Sequence, residues 1–216
     1  MASEKSSLKS TIRVSITNFL DSGSIVAGAS GLTLWTQHFG LSSFQVGLLG
    51  ALSANAFGAA LGALIGGPLS DKFGRKLIYT YDMLVYMVGT ILVMFALNFP
   101  MLLAGFLVTG LAVGAGVPAS WTYISETSQD DNRAKNIGVS QFAWSLGPAV
   151  IFILGTILAP LGLFGNRILF GLLTVIAFIA WLLQRGLGES KAWQDQKAFE
   201  KSSAEKSHPY RTLFSN

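Results

Sequence analysis

The chain has 216 residues, 51% hydrophobic and only 12% charged, with a mean hydropathy of +0.52, which leaves too little polar material to cover a soluble domain of this size. Its formal net charge of +4 is spread over polar connections rather than gathered into a basic stripe with interleaved aromatics, so nucleic acid is not expected as a partner. With no cysteine, disulfides, thiolate metal sites and a cysteine nucleophile are excluded, and nothing in the sequence implies a metal or cofactor.

Apolar runs of about twenty residues suit helices crossing ~30 Å of hydrocarbon, and the short alternating segments of a barrel are absent. Six spanning helices are predicted, over residues 13–36, 45–67, 77–97, 100–123, 137–159 and 167–187. The expectation is an all-α membrane protein with a polar segment at 1–12, a transmembrane bundle at 13–187 and a polar linker at 188–216. Residues 1–13 have no small-residue cleavage pattern and are read as retained rather than as a signal peptide. Of the fifteen Lys and Arg residues, Arg167 alone falls between spans on one side, which predicts a cell-membrane protein with both termini cytoplasmic.

Helix 1 carries Asn18 and Asp21 in an otherwise apolar span, and an Asp near mid-helix costs ~2.5–3.5 kcal/mol on insertion scales. Asp21 should face a polar cavity, unless the helix starts late enough for it to reach the cytoplasmic edge. His38 falls in a short outer loop, where solvation explains it. Helix 2 is strewn with small residues at spacings of three and four, from Gly47 and Gly50 to Gly62, Gly66 and Gly67, a face suited to close helix contact.

Next comes Gly67-Pro68-Leu69-Ser70-Asp71-Lys72-Phe73-Gly74-Arg75-Lys76, read as a water-exposed turn in which Gly67 and Gly74 permit close approach. The order G-x-L-x-D-K-x-G-R-K resembles the loop between the second and third helices of major facilitator superfamily transporters. That resemblance implies twelve helices in the complete fold, of which this chain would supply the N-terminal six as two inverted three-helix repeats. Asp82, about a turn and a half into helix 3, is read as neutralised by Arg75 or Lys76.

In helix 4, Phe106 through Gly114, then Tyr123, Glu126 and Arg133, keep the spacing of the R-x-x-x-G-x-G-x-G helix and the P-x-Y-x-x-E…R that follows it in the sugar porter branch. The family's arginine is replaced by Phe106, its middle glycine by Ala112 and its proline by Trp121, so a pairing of a helix 1 Asp with a helix 4 Arg is in doubt. Gln141 in helix 5 resembles the sugar porters' substrate-binding glutamine, and an amide has the donors and acceptor that a sugar hydroxyl needs. A glutamine satisfied by a neighbouring helix is the other reading. Pro148 removes a helix hydrogen bond and should kink helix 5. The loop from Ala159 to Arg167 echoes Pro68 to Arg75 with one residue deleted. Gly188-Glu189-Ser190-Lys191-Ala192-Trp193 resembles the P-E-S-P-R-W after helix 6, and residues 208–214 read as the approach to a further helix.

The resemblance implies secondary transport, not enzymatic activity, of a small polar solute such as a sugar or polyol. Gln141, Asn18 and Asp21 would line the path, and Asp21 would carry a coupling proton. Gly67, Asp71, Gly74, Arg75, Lys76, Glu126, Arg133 and Glu189 would form a cytoplasmic gating cluster. Expected partners are the solute, protons, the lipid bilayer and a second six-helix half or a homodimer mate. Two alternatives stay open: a truncated or non-transporting half that needs a partner chain, and an intramembrane aspartyl protease using Asp21 and Asp82.

Overall fold

The computed structural model describes residues 2–52 and 56–203, and every regular element among them is helical. In chain order these are α1 (Ala2–Phe39), α2 (Ser43–Ala51), α3 (Phe57–Phe73), α4 (Arg75–Met94), α5 (Phe99–Thr127), α6 (Asp130–Leu158), α7 (Gly162–Gln184) and α8 (Lys191–Ser203), with a 3-10 turn at Ala159–Leu161. Three stretches are long and apolar enough to cross a membrane by length and composition: Arg75–Met94, Phe99–Thr127 and Asp130–Gln184.

Helix α1 falls outside that set, though at 1.5 Å per residue its 38 residues extend about 57 Å. The reason lies in its polar content, since Ser15, Thr17, Asn18, Asp21, Ser22 and Ser24 sit within three turns and all are buried. Helix α3, at 17 residues, is short, and the predicted span at 45–67 corresponds to α2 and α3 together, with residues 53–55 outside the described set. Helix α2 starts at a capping box: Gln45 N–H donates to Ser42 Oγ at 3.3 Å, and Ser42 N–H donates to Gln45 Oε1 at 2.9 Å.

Helix α1 packs chiefly against α6 and α7, and α5 chiefly against α4 and α3. The pairs α1–α5 and α4–α7 also touch, closing the bundle around its centre. Small residues set the tightest crossings. A Cβ on Gly62 or Gly66 would collide with the α5 backbone at Leu111 and Ala115, and one on Gly114 with Ala59 of α3. A Cβ on Gly89 would likewise collide with Thr109 and Gly105 of α5.

The helices overrun the predicted spans. Helix α1 begins by Ala2 rather than at 13, α6 at Asp130 rather than 137, and α7 at Gly162 rather than 167. Hydropathy reports how much helix fits the hydrocarbon, whereas these polar extensions keep their helical hydrogen bonds beyond it. The stretch 67–76 is correspondingly not an open turn. Helix α3 runs through Pro68 to Phe73, α4 starts at Arg75, and the reversal rests on Gly74 alone at φ 107°. A Cβ on Gly67 would meet open space, so the close helix approach expected there belongs to its neighbour Gly66.

These adjacent glycines give a direct test. Gly66→Leu should lower the thermal unfolding midpoint of the detergent-solubilised chain, by an overpacking cost of about 1–3 kcal/mol. Gly67→Leu should leave that midpoint unchanged.

Candidate functional site

Two polar clusters stand out, one at the end of the bundle where α3 meets α4 and one at its centre. At the end cluster, Arg75 is almost fully buried and its guanidinium fans over three partners. Nη1 donates to the Ser70 carbonyl at 3.1 Å and to Asp71 Oδ1 at 2.6 Å, and Nη2 donates to Glu126 Oε1 at 3.1 Å. This planar fork ties the end of α3 to the end of α5, which a point charge could not do with the same geometry.

The segment after α7 closes over the same place. The second oxygen of Glu126 accepts from Ser190 Oγ, Tyr123 donates to the Gly188 carbonyl at 3.1 Å, and the Trp193 indole donates to the Asp71 carbonyl at 2.9 Å. The Glu189 carboxylate accepts from Lys76 N–H at 3.1 Å, placing a negative charge on the first turn of α4, which has no side-chain cap from Gly74. Gly74 is required by its positive φ, and a Cβ there would also displace the Glu189 carboxylate.

Of the predicted gating residues, Asp71, Gly74, Arg75, Glu126 and Glu189 come together, and Lys76 contributes its backbone amide. Gly67 lies apart, facing open space. Arg133 forms its ion pair with Asp130 one turn away, at 2.9 Å, while Glu126 is paired with Arg75. Ser190 and Trp193 belong to the cluster, although in the sequence they stand out only as part of a tail motif. Asp82 is not neutralised by Arg75, whose fork is directed at Ser70, Asp71 and Glu126; neither Asp82 oxygen has a side-chain hydrogen-bond partner.

At the centre, Asn18 has no exposed surface and bridges three helices. Its amide donates to Ser140 Oγ on α6, and its carbonyl oxygen accepts from Ser120 Oγ on α5 at 3.0 Å. One turn on, both oxygens of the fully buried Asp21 lack a hydrogen-bond partner. Tyr86 of α4 donates to the Leu20 carbonyl at 3.1 Å beside it, and Gln184 of α7 donates to Thr17 Oγ1 at 2.7 Å. Phe106 packs edge-on against Trp35, with ring centroids 5.3 Å apart, and against Gly28 of α1, so an aromatic wall stands where an arginine would bring a charge. An apolar cavity of about 160 Å³ adjoins it, lined by Ser24, Gly28, Phe106, Thr109 and Phe170 among others. Gln141 is exposed on α6, so the structure does not bring it together with Asn18 and Asp21 inside the bundle.

The Major Facilitator Superfamily profile matches residues 14–216. The chain belongs to that superfamily. It is 52% identical over 198 residues to the minor myo-inositol transporter IolF of Bacillus subtilis (strain 168), covering 92% of this chain and 45% of the relative. It is 33% identical over 178 residues to the arabinose-proton symporter of Escherichia coli (strain K12), covering 82% of this chain and 36% of that one. The MFS proton:xylose symporter XylE, solved with 6-bromo-6-deoxy-D-glucose, shares the fold at a TM-score of 0.81 and 18% identity, over 90% of this chain and 47% of that one. The chain thus spans less than half the length of these relatives. As a superfamily member it is a multi-pass membrane protein, grouped with transporters rather than with aspartyl proteases.

The ion pairs of Arg75 and Arg133 differ in burial, with Arg75 8% exposed against Glu126 at 19% and Arg133 48% exposed against Asp130 at 90%. Arg75→Ala should therefore cost about 1–3 kcal/mol by leaving Glu126 and the Ser70 carbonyl short of a donor. Arg133→Ala should change the unfolding midpoint little, because exposed pairs contribute weakly. Thermal unfolding in detergent reads both.

Proposed function

We propose that this chain forms the N-terminal six-helix half of a secondary transporter for a sugar or polyol, embedded in the cell membrane with both termini cytoplasmic. The observation that carries the solute class is the 52% identity, over 92% of the chain, to a myo-inositol transporter. Counting α2 with α3 as one span, the packing pairs exchange under a swap of the first, second and third spans with the fourth, fifth and sixth. α1–α6 goes with α5–α3, α1–α7 goes with α5–α4, and α1–α5 and α4–α7 map onto themselves. That exchange supports two inverted three-helix repeats.

The solute path lies between this half and a second six-helix half, whether on the same polypeptide or on a partner chain. Gln141 favours that arrangement, since it sits exposed on α6 where an amide would serve hydroxyls arriving from outside this bundle. The Arg75–Glu126–Ser190 cluster acts as the latch of one access state, made when the cytoplasmic side is closed and released when it opens. Asp21 carries the coupling proton, because no arginine faces it from the Phe106 position to hold it as an ion pair.

The topology is tested with single cysteines in this cysteine-free chain. Lys72→Cys and Asp195→Cys should be labelled only from inside, and Gln37→Cys only from outside; external labelling at position 72 would overturn the orientation. For transport, the chain joined to or co-expressed with a second half should accumulate labelled myo-inositol in vesicles when a proton gradient is applied. Asp21→Asn should abolish uphill accumulation while sparing exchange down the solute gradient. Unchanged accumulation in that variant would remove Asp21 from coupling.

A further inference from the structure

Between the first turns of α4 and the end of α7, on the flank of the end cluster, lies an open pocket of about 440 Å³. Its depth in the membrane follows from the spans that frame it. Lys76 is the second residue of the span Arg75–Met94, and Arg185 comes directly after the span Asp130–Gln184. Both basic side chains therefore stand where hydrocarbon gives way to water. Trp181 and Tyr81 line the pocket beside them, and amphipathic rings of this kind favour that depth.

The charges of the pocket do not cancel. The Arg185 guanidinium lies over the Trp181 ring, 4.7 Å from its centroid, and neither it nor the half-buried Lys76 side chain forms an ion pair with another described residue. One carboxylate, Glu189, also lines the pocket, but backbone donors take it up: one oxygen accepts from Lys76 N–H at 3.1 Å and the other from Ser190 N–H at 2.9 Å. Two cations against that carboxylate leave a positive excess. Lys72 adds to it from the rim, its ammonium 5.1 Å from the centroid of the lining Phe73 ring. Thr80, almost fully buried in the wall, carries a hydroxyl with no hydrogen-bond partner.

From this polar mouth an apolar strip runs toward mid-membrane. Leu77, Tyr81, Val85 and Val88 follow one another on α4 at spacings of four, four and three residues, and all are exposed. A soluble anion would leave that strip uncovered, whereas a phospholipid supplies a negative headgroup and an acyl chain in the same order. We propose that the pocket binds the phosphate of an anionic phospholipid, with Arg185 and Lys76 donating to its oxygens and an acyl chain lying along the α4 strip. The site is separate from the proposed solute path, since it opens between α4 and α7 while Gln141 is exposed on α6. On the orientation proposed above, the lipid belongs to the cytoplasmic leaflet, whose surface is negatively charged.

The test is native mass spectrometry of the detergent-solubilised 216-residue chain with equal amounts of phosphatidylglycerol and phosphatidylcholine. The first lipid bound should be phosphatidylglycerol, by about tenfold over phosphatidylcholine, as two basic side chains near a headgroup would give. Lys76→Gln combined with Arg185→Gln should bring the two lipids close to parity. Lys191→Gln combined with Lys197→Gln, which removes the same charge from α8, should keep the preference. Should the first pair prove unstable, Arg185→Glu alone decides, because it alters only an exposed side chain and should also lower the preference. Equal binding by the unaltered chain, a preference that survives loss of Lys76 and Arg185, or an equal loss in the α8 variant would each overturn the proposal. Displacement of the lipid by inorganic phosphate would overturn it too, by showing a site for a free anion. None of these outcomes depends on solute transport or on which leaflet the pocket faces, so the reading of the chain as half of a transporter stands or falls separately.

Discussion

Helix α1 carries an aspartate, an asparagine and a run of hydroxyls into the middle of a membrane bundle, and a helix of that kind is tolerated at such depth only if other helices surround it. The surroundings are specific. Ser120 of α5 and Ser140 of α6 take up Asn18, Gln184 of α7 takes up Thr17, and Tyr86 of α4 reaches the Leu20 carbonyl. Four helices therefore converge on α1 through side-chain hydrogen bonds, which are informative in hydrocarbon because packing there has no water-driven component. Both oxygens of Asp21 receive no such bond, and Ser15 Oγ is also without a partner. A buried acid left without donors is the kind of local inconsistency that marks a functional group.

The end cluster depends on that convergence. Once α1 draws α5 and α4 together, the α5 terminus lies beside the α3–α4 reversal, and Arg75 can hold Asp71, the Ser70 carbonyl and Glu126 at once. Glu189 and Trp193 then tie the polar segment after α7 to the same spot. Because the cluster joins separate elements through a few charge-assisted bonds, it can be broken as a unit without unpacking any helix. A device that favours one of two conformations needs that property.

Much of this is legible in the sequence, because membrane helices announce themselves by apolar length and because the charged stretch from Gly67 to Lys76 has a fixed order of residue types. The same stretch also misleads. Charge and glycine suggest an open turn, but Pro68 sits inside α3 and the reversal takes one residue, Gly74. Spacing cannot tell Gly66 from Gly67, since both fit a small-residue face and only the three-dimensional crossing with Ala115 separates them. The cations nearest to Asp82 along the chain suggest themselves as its partners, whereas the fork of Arg75 turns away toward α5. Arg133 keeps the family spacing to Glu126 yet finds a nearer acid in its own helix. In each case the sequence names the right residue types, and the pairing is decided by contacts that spacing does not report.

The polar stretch of α1 is the enclosed core of the bundle rather than a loosely inserted segment. Hydrogen–deuterium exchange of the chain in lipid vesicles reads this directly. Amides from Val14 to Ser24 should be protected as strongly as those in the apolar middle of α5. Exchange there as fast as in the exposed α8 helix would contradict the account.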